Sequence, residues 1–300
     1  MVSFLFIVPF LTALAVIFTP RLLWIRWVAL TGALITSAIT LKLDCIFFNS
    51  ASRLLTETSP LHLIQLFGVQ QFEWFHSLGI QYLVGLDGLS LAMVNLTSLI
   101  ITTGVLASWE VKDRTKEFFA WLFLLAGGVF GVFVSFDLFL FFVFYEVAVL
   151  PMYLLIGVWG TGPKEYSAMK LTLMLMAGSA LIIVGILAIY QAAGGHTFDL
   201  TLLAQHSFSR QFQNWVYPLL FLGFGVIGAL YPFHTWSPDG HASAPTAVSM
   251  LHAGVLMKLG GYGIIRLAIT LLPEGANTWS SFFMVLATIN IVYGALGAIK

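Results

Sequence analysis

Long apolar runs constrain this chain more than any other feature. Hydrophobic residues make up 59% of its 300 positions and charged residues only 9%, and its mean hydropathy is +0.96. Soluble proteins carry about 25% charged residues, and one soluble core could not bury this much apolar surface. The composition therefore predicts an all-α polytopic protein that uses the lipid bilayer as its solvent.

The apolar runs divide into about nine predicted spans, because a helix needs about 20 apolar residues to cross a bilayer core. The first run lacks a basic segment and a cleavage site, so we expect it to be retained as a span rather than removed as a signal peptide. We place the spans at residues 2–19, 23–41, 82–108, 118–135, 137–159, 167–191, 215–233, 244–270 and 279–299.

Two longer polar intervals interrupt these runs. The interval 42–81 is expected to form an extramembrane loop with a surface helix, and 192–214 is the second connection. The other connections are short, which favours an antiparallel helical bundle. Charged residues of the first interval include Lys42, Asp44, Arg53, Glu57 and Glu73.

The distribution of Lys and Arg predicts which way the bundle faces. More of them fall in the loops that would be cytoplasmic if the N-terminus is external, as the positive-inside rule requires. Lys300 directly follows an apolar run. We therefore expect residues 1–300 to be a single transmembrane domain that is truncated after about nine spans and is the N-terminal part of a longer domain.

Charge and cysteine content exclude several functions. The 13 basic and 13 acidic residues balance, so no nucleic-acid partner is expected. The single cysteine, Cys45, excludes an internal disulfide, a four-cysteine zinc site and an iron–sulfur cluster held by this chain alone. The glycine-containing segments GVWGTG and GLDGLS lack a phosphate-loop pattern, so nucleotide binding is rejected.

Two charges stand in the middle of predicted spans. Glu146 lies roughly 14 Å beyond Asp137 at 1.5 Å per residue, and Lys258 is about fourteen residues into its run. A charge at a bilayer centre costs about 2.5–3.5 kcal/mol and usually marks an ion pathway. The alternatives are a protonated, hydrogen-bonded glutamate and a fixed ion pair of the lysine.

Other polar residues are weaker candidates. Histidines can relay protons near neutral pH, so His234, His241 and His252 are candidates for a proton relay. A structural role in hydrogen bonding has equal weight for each of them. Pro238, Asp239 and Gly240 are read as a turn between His234 and His241, and His252 and Lys258 as lying on different helix faces. Lys170 is expected near a helix end, snorkelling to the interface. Asp87 and Asp137 are expected to cap helices.

Three stretches together resemble the antiporter-like membrane subunits of respiratory complex I, and most closely subunit M, also called chain 4. They are YLVGLDGLS at 82–90, FDLFLFFVFYEVAVLPMYLLIGVWG at 136–160 and PFHTWSPDGHASAPTAVSMLHAGVLMKLGGYGIIRL at 232–267. In this resemblance Glu146 matches the essential membrane glutamate, Lys258 the central lysine and Lys170 a recurring lysine. With His234 and His252, these are the candidate proton-translocating residues.

The resemblance implies discontinuous helices in two inverted repeats, with spans 118–233 as the first repeat and 244–300 as part of the second. It also implies a proton-translocating subunit of an NADH:quinone oxidoreductase, located in a bacterial inner (plasma) membrane beside other antiporter-like subunits. No redox site, cofactor or metal is expected in this chain. FMN, iron–sulfur clusters and quinone are expected in partner subunits.

One position departs from the family pattern. The family places a lysine in the helix before PFHTW, and here that position is Ile227. Either His234, His252 or Lys170 compensates, or the channel is altered or inactive. Three functions therefore stay open: a complex I-like proton pump, a subunit of a multi-subunit Na⁺/H⁺ antiporter or membrane-bound hydrogenase, and a non-pumping scaffold.

Overall fold

The chain folds as a helical bundle with one short β-hairpin, as seen in a computed structural model. The structure describes residues 1–54 and 66–299. The long elements up to the middle of the chain are α1 (Phe4–Phe18), α2 (Leu22–Leu54), β1 (Phe67–Phe75), β2 (Ile80–Leu86), α3 (Gly88–Ala107), α4 (Thr115–Val134) and α5 (Leu138–Trp159).

The second half continues with helices only. Its elements are α6 (Lys164–Ala192), α7 (Leu200–Leu203), α8 (Arg210–Ile227), α9 (Trp236–Ser243), α10 (Thr246–Leu251), the π-helical segment π1 (His252–Leu256), α11 (Met257–Gly263), a second π-helical segment π2 (Ile264–Ile269), and α12 (Pro273–Ile299).

Seven helices in the described part of the chain are long and apolar enough to cross a membrane. They are the helices over Leu22–Asn49, Gly88–Ala107, Thr115–Val134, Leu138–Trp159, Lys164–Ala192, Thr246–Ile269 and Pro273–Ile299. The 15-residue α1 and the 18-residue α8 coincide with the other two predicted spans. The expectation of an all-α polytopic membrane protein is confirmed, and the chain is an integral multi-pass protein.

The prediction for the interval 42–81 was wrong in its details. Helix α2 runs on to Leu54, and β1 and β2 pair antiparallel as a hairpin, so residues 82–86 belong to a strand and not to a span. Phe72 and Trp74 alternate with Glu73 as in a strand, and β1 is exposed along most of its length. Glu57 lies outside the described residues.

The bundle has two ends, which we name by their connections. The hairpin end carries β1 and β2, and there the Leu138 amide donates to the Phe198 carbonyl at 2.9 Å. The basic end carries the connections 19–21, 108–114, 160–163 and 244–245. At this end the Thr161 amide donates to the Ser243 carbonyl at 2.8 Å, so α9 ends beside the start of α6.

Small residues let the helices approach closely, as is usual where lipid removes the hydrophobic drive for association. A Cβ added to Gly178 of α6 would meet the Gly223 carbonyl and Val226 of α8. A Cβ on Gly128 of α4 would meet the backbone of Ala148 in α5. These contacts bring α6 against α8 and α4 against α5.

The region after α8 differs most from the prediction. The predicted span 215–233 ends at Ile227, and residues 228–235 form an irregular connection inside the bundle. The segment WSPDGHAS was read as containing a turn, but it is the helix α9. Pro238 is accommodated because it lies in the first turn, where an amide has no intrahelical acceptor. Helices α8 and α9 together form one discontinuous membrane segment.

The segment that carries Lys258 is also irregular. Its seven-residue helix α11 is flanked by π1 and π2. π-Helical turns often occur at functional sites. The predicted span 244–270 is therefore one helix over Thr246–Ile269, in which π-helical turns alternate with α-helical ones.

Candidate functional site

Lys258 is placed at mid-depth by α10 and π1. Its amine donates a short hydrogen bond to the Ala253 carbonyl of π1. The side chain is exposed at the edge of a hollow of about 490 Å³. The hollow is lined by Lys258 together with Leu89, Met93, Phe221, Gly225, Gly228, Leu230, Met257, Gly261, Tyr262, Ile264 and Ile265. No carboxylate among the described residues forms an ion pair with Lys258.

Two histidines and a tryptophan form a ring stack beside this lysine. His252 is fully buried, and its ring lies 4.3 Å from that of His241 and 5.1 Å from that of Trp236. Neither ring nitrogen of His252 has a hydrogen-bond partner among the described residues. Because His252 is buried and Lys258 exposed, the prediction that they occupy different helix faces is confirmed.

His241 links this stack to the lysine. Its Nδ1 lies 2.9 Å from the Ser249 hydroxyl, and its Nε2 lies 3.5 Å from the Met257 sulfur. Sequence reasoning grouped His241 with the other histidines but left it out of the candidate residues, although the structure gives it more polar contacts than His234 or His252.

Lys170 does not snorkel to the interface as a lone charge. Its amine lies 2.7 Å from the Asp239 carboxylate on α9, and it also lies 5.6 Å above the Tyr166 ring. Asp239 was read as a turn residue because it stands between Pro238 and Gly240. Its position in α9, which packs on α6, creates this ion pair, and only the discontinuous helix brings the two residues together.

Glu146 is half-buried on α5, and its Oε1 atom is buried without a hydrogen-bond partner among the described residues. Gly157 of α5 packs on Ala168 of the antiparallel α6. Counting the same number of residues back from Gly157 and on from Ala168 places Glu146 level with Ser179. Helix α8 ends at Ile227 close to this level. This packing places position 227 at a depth similar to that of Glu146.

His234 stands apart from the other candidates. It lies in the connection between α8 and α9, where its ring is 5.5 Å from Tyr231 and 4.8 Å from Tyr293 of α12. Its Nδ1 is buried without a partner in the described part of the chain. The structure therefore gives His234 aromatic neighbours rather than a contact with Glu146 or Lys258.

The predicted helix caps are confirmed, and one of them has a second role that the sequence did not reveal. Asp87 accepts from the Ser90 amide at 2.8 Å and also pairs with Arg266 at 2.6 Å. Asp137 accepts from the Phe139 and Leu140 amides at 2.9 and 3.0 Å. Arg266 is buried within π2.

No group of three or more His, Cys, Asp or Glu side chains that could hold a metal ion occurs within residues 1–54 and 66–299. The paired histidines His241 and His252 stack face to face, an arrangement that directs their nitrogens away from a common point. The site is therefore a set of separate titratable side chains at different depths, which can hold and transfer protons.

Comparisons with known proteins agree with this geometry. Residues 135–300 match the transmembrane family described as NADH:quinone oxidoreductase/Mrp antiporter. NAD(P)H-quinone oxidoreductase chain 4 3 of Picosynechococcus is 41% identical over 230 residues, which are 76% of this chain and 42% of that protein. NADH-quinone oxidoreductase subunit M of Rhodobacter capsulatus is 36% identical over 287 residues, covering 91% of this chain and 53% of the relative.

Solved structures give the same result. A chain of respiratory complex I from Thermus thermophilus with bound NADH superposes with a TM-score of 0.84 at 26% identity, covering 98% of this chain and 58% of that chain. A chain of an archaeal membrane-bound sulfane sulfur reductase shares the fold at 20% identity and a TM-score of 0.81.

The match extends over most of the chain, although the chain spans about half the length of these curated relatives. Bacterial relatives indicate the plasma membrane as its location. The family match over residues 135–300, which contain Glu146, Lys170 and Lys258, identifies the chain as a member of the NADH:quinone oxidoreductase/Mrp antiporter transmembrane family, similar to subunit M and chain 4.

Proposed function

We propose that the chain is a proton-translocating membrane subunit of a complex I-like NADH:quinone oxidoreductase. Electron transfer in partner subunits would drive protons between its intramembrane Glu, Lys and His side chains. The curated relatives are named as subunits of such oxidoreductases, which supports this assignment. The division into two inverted repeats stays a prediction from the resemblance.

One observation carries the proposal. Glu146 and Lys258 both lie in the middle of apolar membrane helices, and neither is neutralised by an ion pair with a described residue. An unpaired charge at this depth is costly, so it is retained when it serves ion movement. A scaffold would be more stable with apolar side chains at both positions.

The cavity beside His241 suggests how protons reach this depth. It measures about 440 Å³ and is lined by His241, Ala244, Thr246, Ser249, Met250 and Ala253. Ala244 and Thr246 lie at the basic end of the bundle, and the Ala253 carbonyl binds Lys258. The cavity thus extends from the basic end towards Ala253, the residue whose carbonyl binds Lys258, with His241 as the titratable group in its wall.

The test is proton pumping by the assembled enzyme in inverted membrane vesicles. We expect Glu146→Gln and Lys258→Ala to abolish NADH-driven acidification of the vesicle interior while the complex still assembles. Glu165→Gln, which neutralises an exposed acid on α6, is the matched control and should pump normally. Unchanged pumping in both site variants would contradict the proposal.

The partners and cofactors follow from the same proposal. Other membrane subunits, including further antiporter-like ones, would assemble with this chain, and the open flank at Lys258 would be covered in the assembled complex. FMN, iron–sulfur clusters and quinone would belong to those partners, with no redox site in this chain. Purification through a tag on this chain should bring down a flavin and iron–sulfur arm.

The same purification separates the pump from its nearest alternative. A subunit of a multi-subunit Na⁺/H⁺ antiporter would copurify with membrane subunits alone. A membrane-bound hydrogenase would bring iron–sulfur proteins and hydrogen-dependent activity instead of NADH oxidation.

A non-pumping scaffold is the second candidate function, and Ile227 is the observation that favours it. Its side chain is fully buried at the end of α8, where no proton can be held. If the channel is inactive because of this residue, Ile227→Lys should raise the proton flux of the assembled complex. If Lys170 or a histidine compensates, the substitution should produce little gain.

A further inference from the structure

A buried ion pair lies outside the residues to which the proposed function assigns proton transfer. Arg266 Nη2 lies 2.7 and 2.6 Å from the two carboxylate oxygens of Asp87, the N-cap of α3. The side chains are only 6% and 17% exposed. Arg266 also lies 5.0 Å above the Phe136 ring. Burying two charges has a large desolvation cost, so the presence of this pair indicates a role other than stability alone.

The pair is joined to the lysine-bearing helix by a tyrosine. The Tyr262 hydroxyl lies 3.3 Å from Arg266 Nε and 3.0 Å from the Ser90 hydroxyl, and it donates to the Phe133 carbonyl at 3.2 Å. Tyr262 is the residue of α11 one turn after Lys258. The network therefore ties α11 to the start of α3 and the end of α4.

Helix α11 needs such an anchor because both of its ends are π-helical. π-Helical turns have a different pitch from α-helix, so the axial position and rotation of the seven-residue α11 depend on whether π1 and π2 keep their π-helical hydrogen bonds. Its glycines pack on α8, where Gly260 and Gly263 face Phe224. Small residues allow this close approach of α11 to α8.

We propose that Asp87 and Arg266 are positioning residues for Lys258, because their ion pair fixes α11 between π1 and π2. The inference rests on the proposed function for its effect on pumping, but the placement of α11 can be measured separately. Asp87 and Arg266 act through the helix and do not contact the amine that is proposed to carry protons.

The first experiment is a double-mutant cycle in the assembled complex. Arg266→Gln removes the cation, and Asp87→Asn removes the anion while keeping a side-chain oxygen that can cap α3. Each is expected to lower proton pumping by about tenfold, since each leaves a buried charge without its partner. The double variant should pump no worse than either single variant, because both remove one shared interaction. Arg266→Lys should recover part of the activity, since an ammonium keeps the charge but loses the planar fork.

The matched control is Arg114→Gln. Arg114 pairs with Glu117 at 2.5 Å, but their side chains are 60% and 47% exposed. Exposed pairs contribute little, so this variant should pump like the parent. Equal loss in Arg114→Gln, or additive losses in the double variant, would overturn the positioning role.

The second experiment reads the position of α11 without pumping. Gly261 lines the hollow beside Lys258, and a Cβ there meets nothing within 4 Å. In a Cys45→Ser background, Gly261→Cys becomes the only thiol of the chain, and its labelling rate with N-ethylmaleimide reports the surroundings of α11. Arg266→Gln should change this rate by about threefold or more, whereas Arg114→Gln should not.

The two readouts separate the proposals. Unchanged labelling in Arg266→Gln overturns the positioning role, whatever the pumping rate. Changed labelling supports the positioning role even if Glu146→Gln proves to pump normally, in which case only the proposed function fails.

Discussion

At the scale of single residues, the site is defined by what each charge contacts. Lys170 and Asp239 form an ion pair, whereas Glu146 and Lys258 have no ionic partner among the described residues. The intramembrane positions of Glu146 and Lys258 follow from counting along apolar runs. The pairing of Lys170 does not, because residues 170 and 239 are far apart in the chain and meet only where α9 packs on α6.

Neutralising Asp239 provides a test at this scale. Asp239→Asn leaves the Lys170 ammonium without its partner, which opposes the approach of a proton to this part of the site. Since this pair is partly exposed, with side chains 24% and 42% accessible, we expect pumping to fall by only about two- to fivefold. The measurement is the initial rate of vesicle acidification at equal amounts of assembled complex.

The loss of pumping expected in Asp239→Asn is attributed to the missing charge and not to the shape of the side chain. Asp239→Glu keeps a carboxylate that can balance the Lys170 ammonium and should recover most of the lost rate. If it is as slow as Asp239→Asn or slower, Asp239 acts otherwise than by balancing Lys170.

At the scale of elements, irregular helices form the site. The connection at 228–235 interrupts one membrane segment, and π1 and π2 interrupt another. Hydropathy located both segments, because a broken helix and a continuous one expose the same apolar composition to lipid. The hydropathy pattern could not locate these irregular turns, because they depend on backbone groups that find hydrogen-bond partners in neighbouring helices.

Close packing of α11 on α8 leads to a test with two neighbouring glycines. A Cβ on Gly260 would lie within 3 Å of the Phe224 carbonyl and the Gly228 amide nitrogen. Both are backbone atoms that cannot rotate away, so Gly260→Val should destabilise the bundle by about 1–3 kcal/mol. The measurement is the midpoint of thermal unfolding of the purified complex.

Gly261 is the matched control on the same helix. Its Cβ would meet nothing within 4 Å, so Gly261→Ala should leave the midpoint unchanged or raise it slightly, because alanine favours helix. Equal destabilisation by both substitutions would show that α11 does not pack on α8 through Gly260.

At the scale of the whole molecule, the basic end and the hairpin end give the bundle a direction. Lys112, Arg114, Lys116 and Lys164 lie at or near the basic end, close to the connections 108–114 and 160–163. From the positive-inside rule we expect this end to lie in the cytoplasm and the N-terminus outside.

Single cysteines test this orientation. In a Cys45→Ser background, Lys112→Cys should react with a membrane-impermeant maleimide only in inverted vesicles. Gln205→Cys, exposed at the hairpin end, should react only in intact cells. The reverse pattern would show that the proposed cavity beside His241 opens to the outside.

By itself, the sequence determined the membrane fold, the approximate helices, the caps at Asp87 and Asp137, and the two charges of greatest interest. These features depend on local hydropathy and spacing, since each membrane helix forms its own backbone hydrogen bonds and must face lipid. The tertiary structure decided which charges meet, as for Lys170 with Asp239 and Asp87 with Arg266. Such pairs depend on where separate helices cross, and pitch changes at π1 and π2 alter those crossings without leaving a signature in composition.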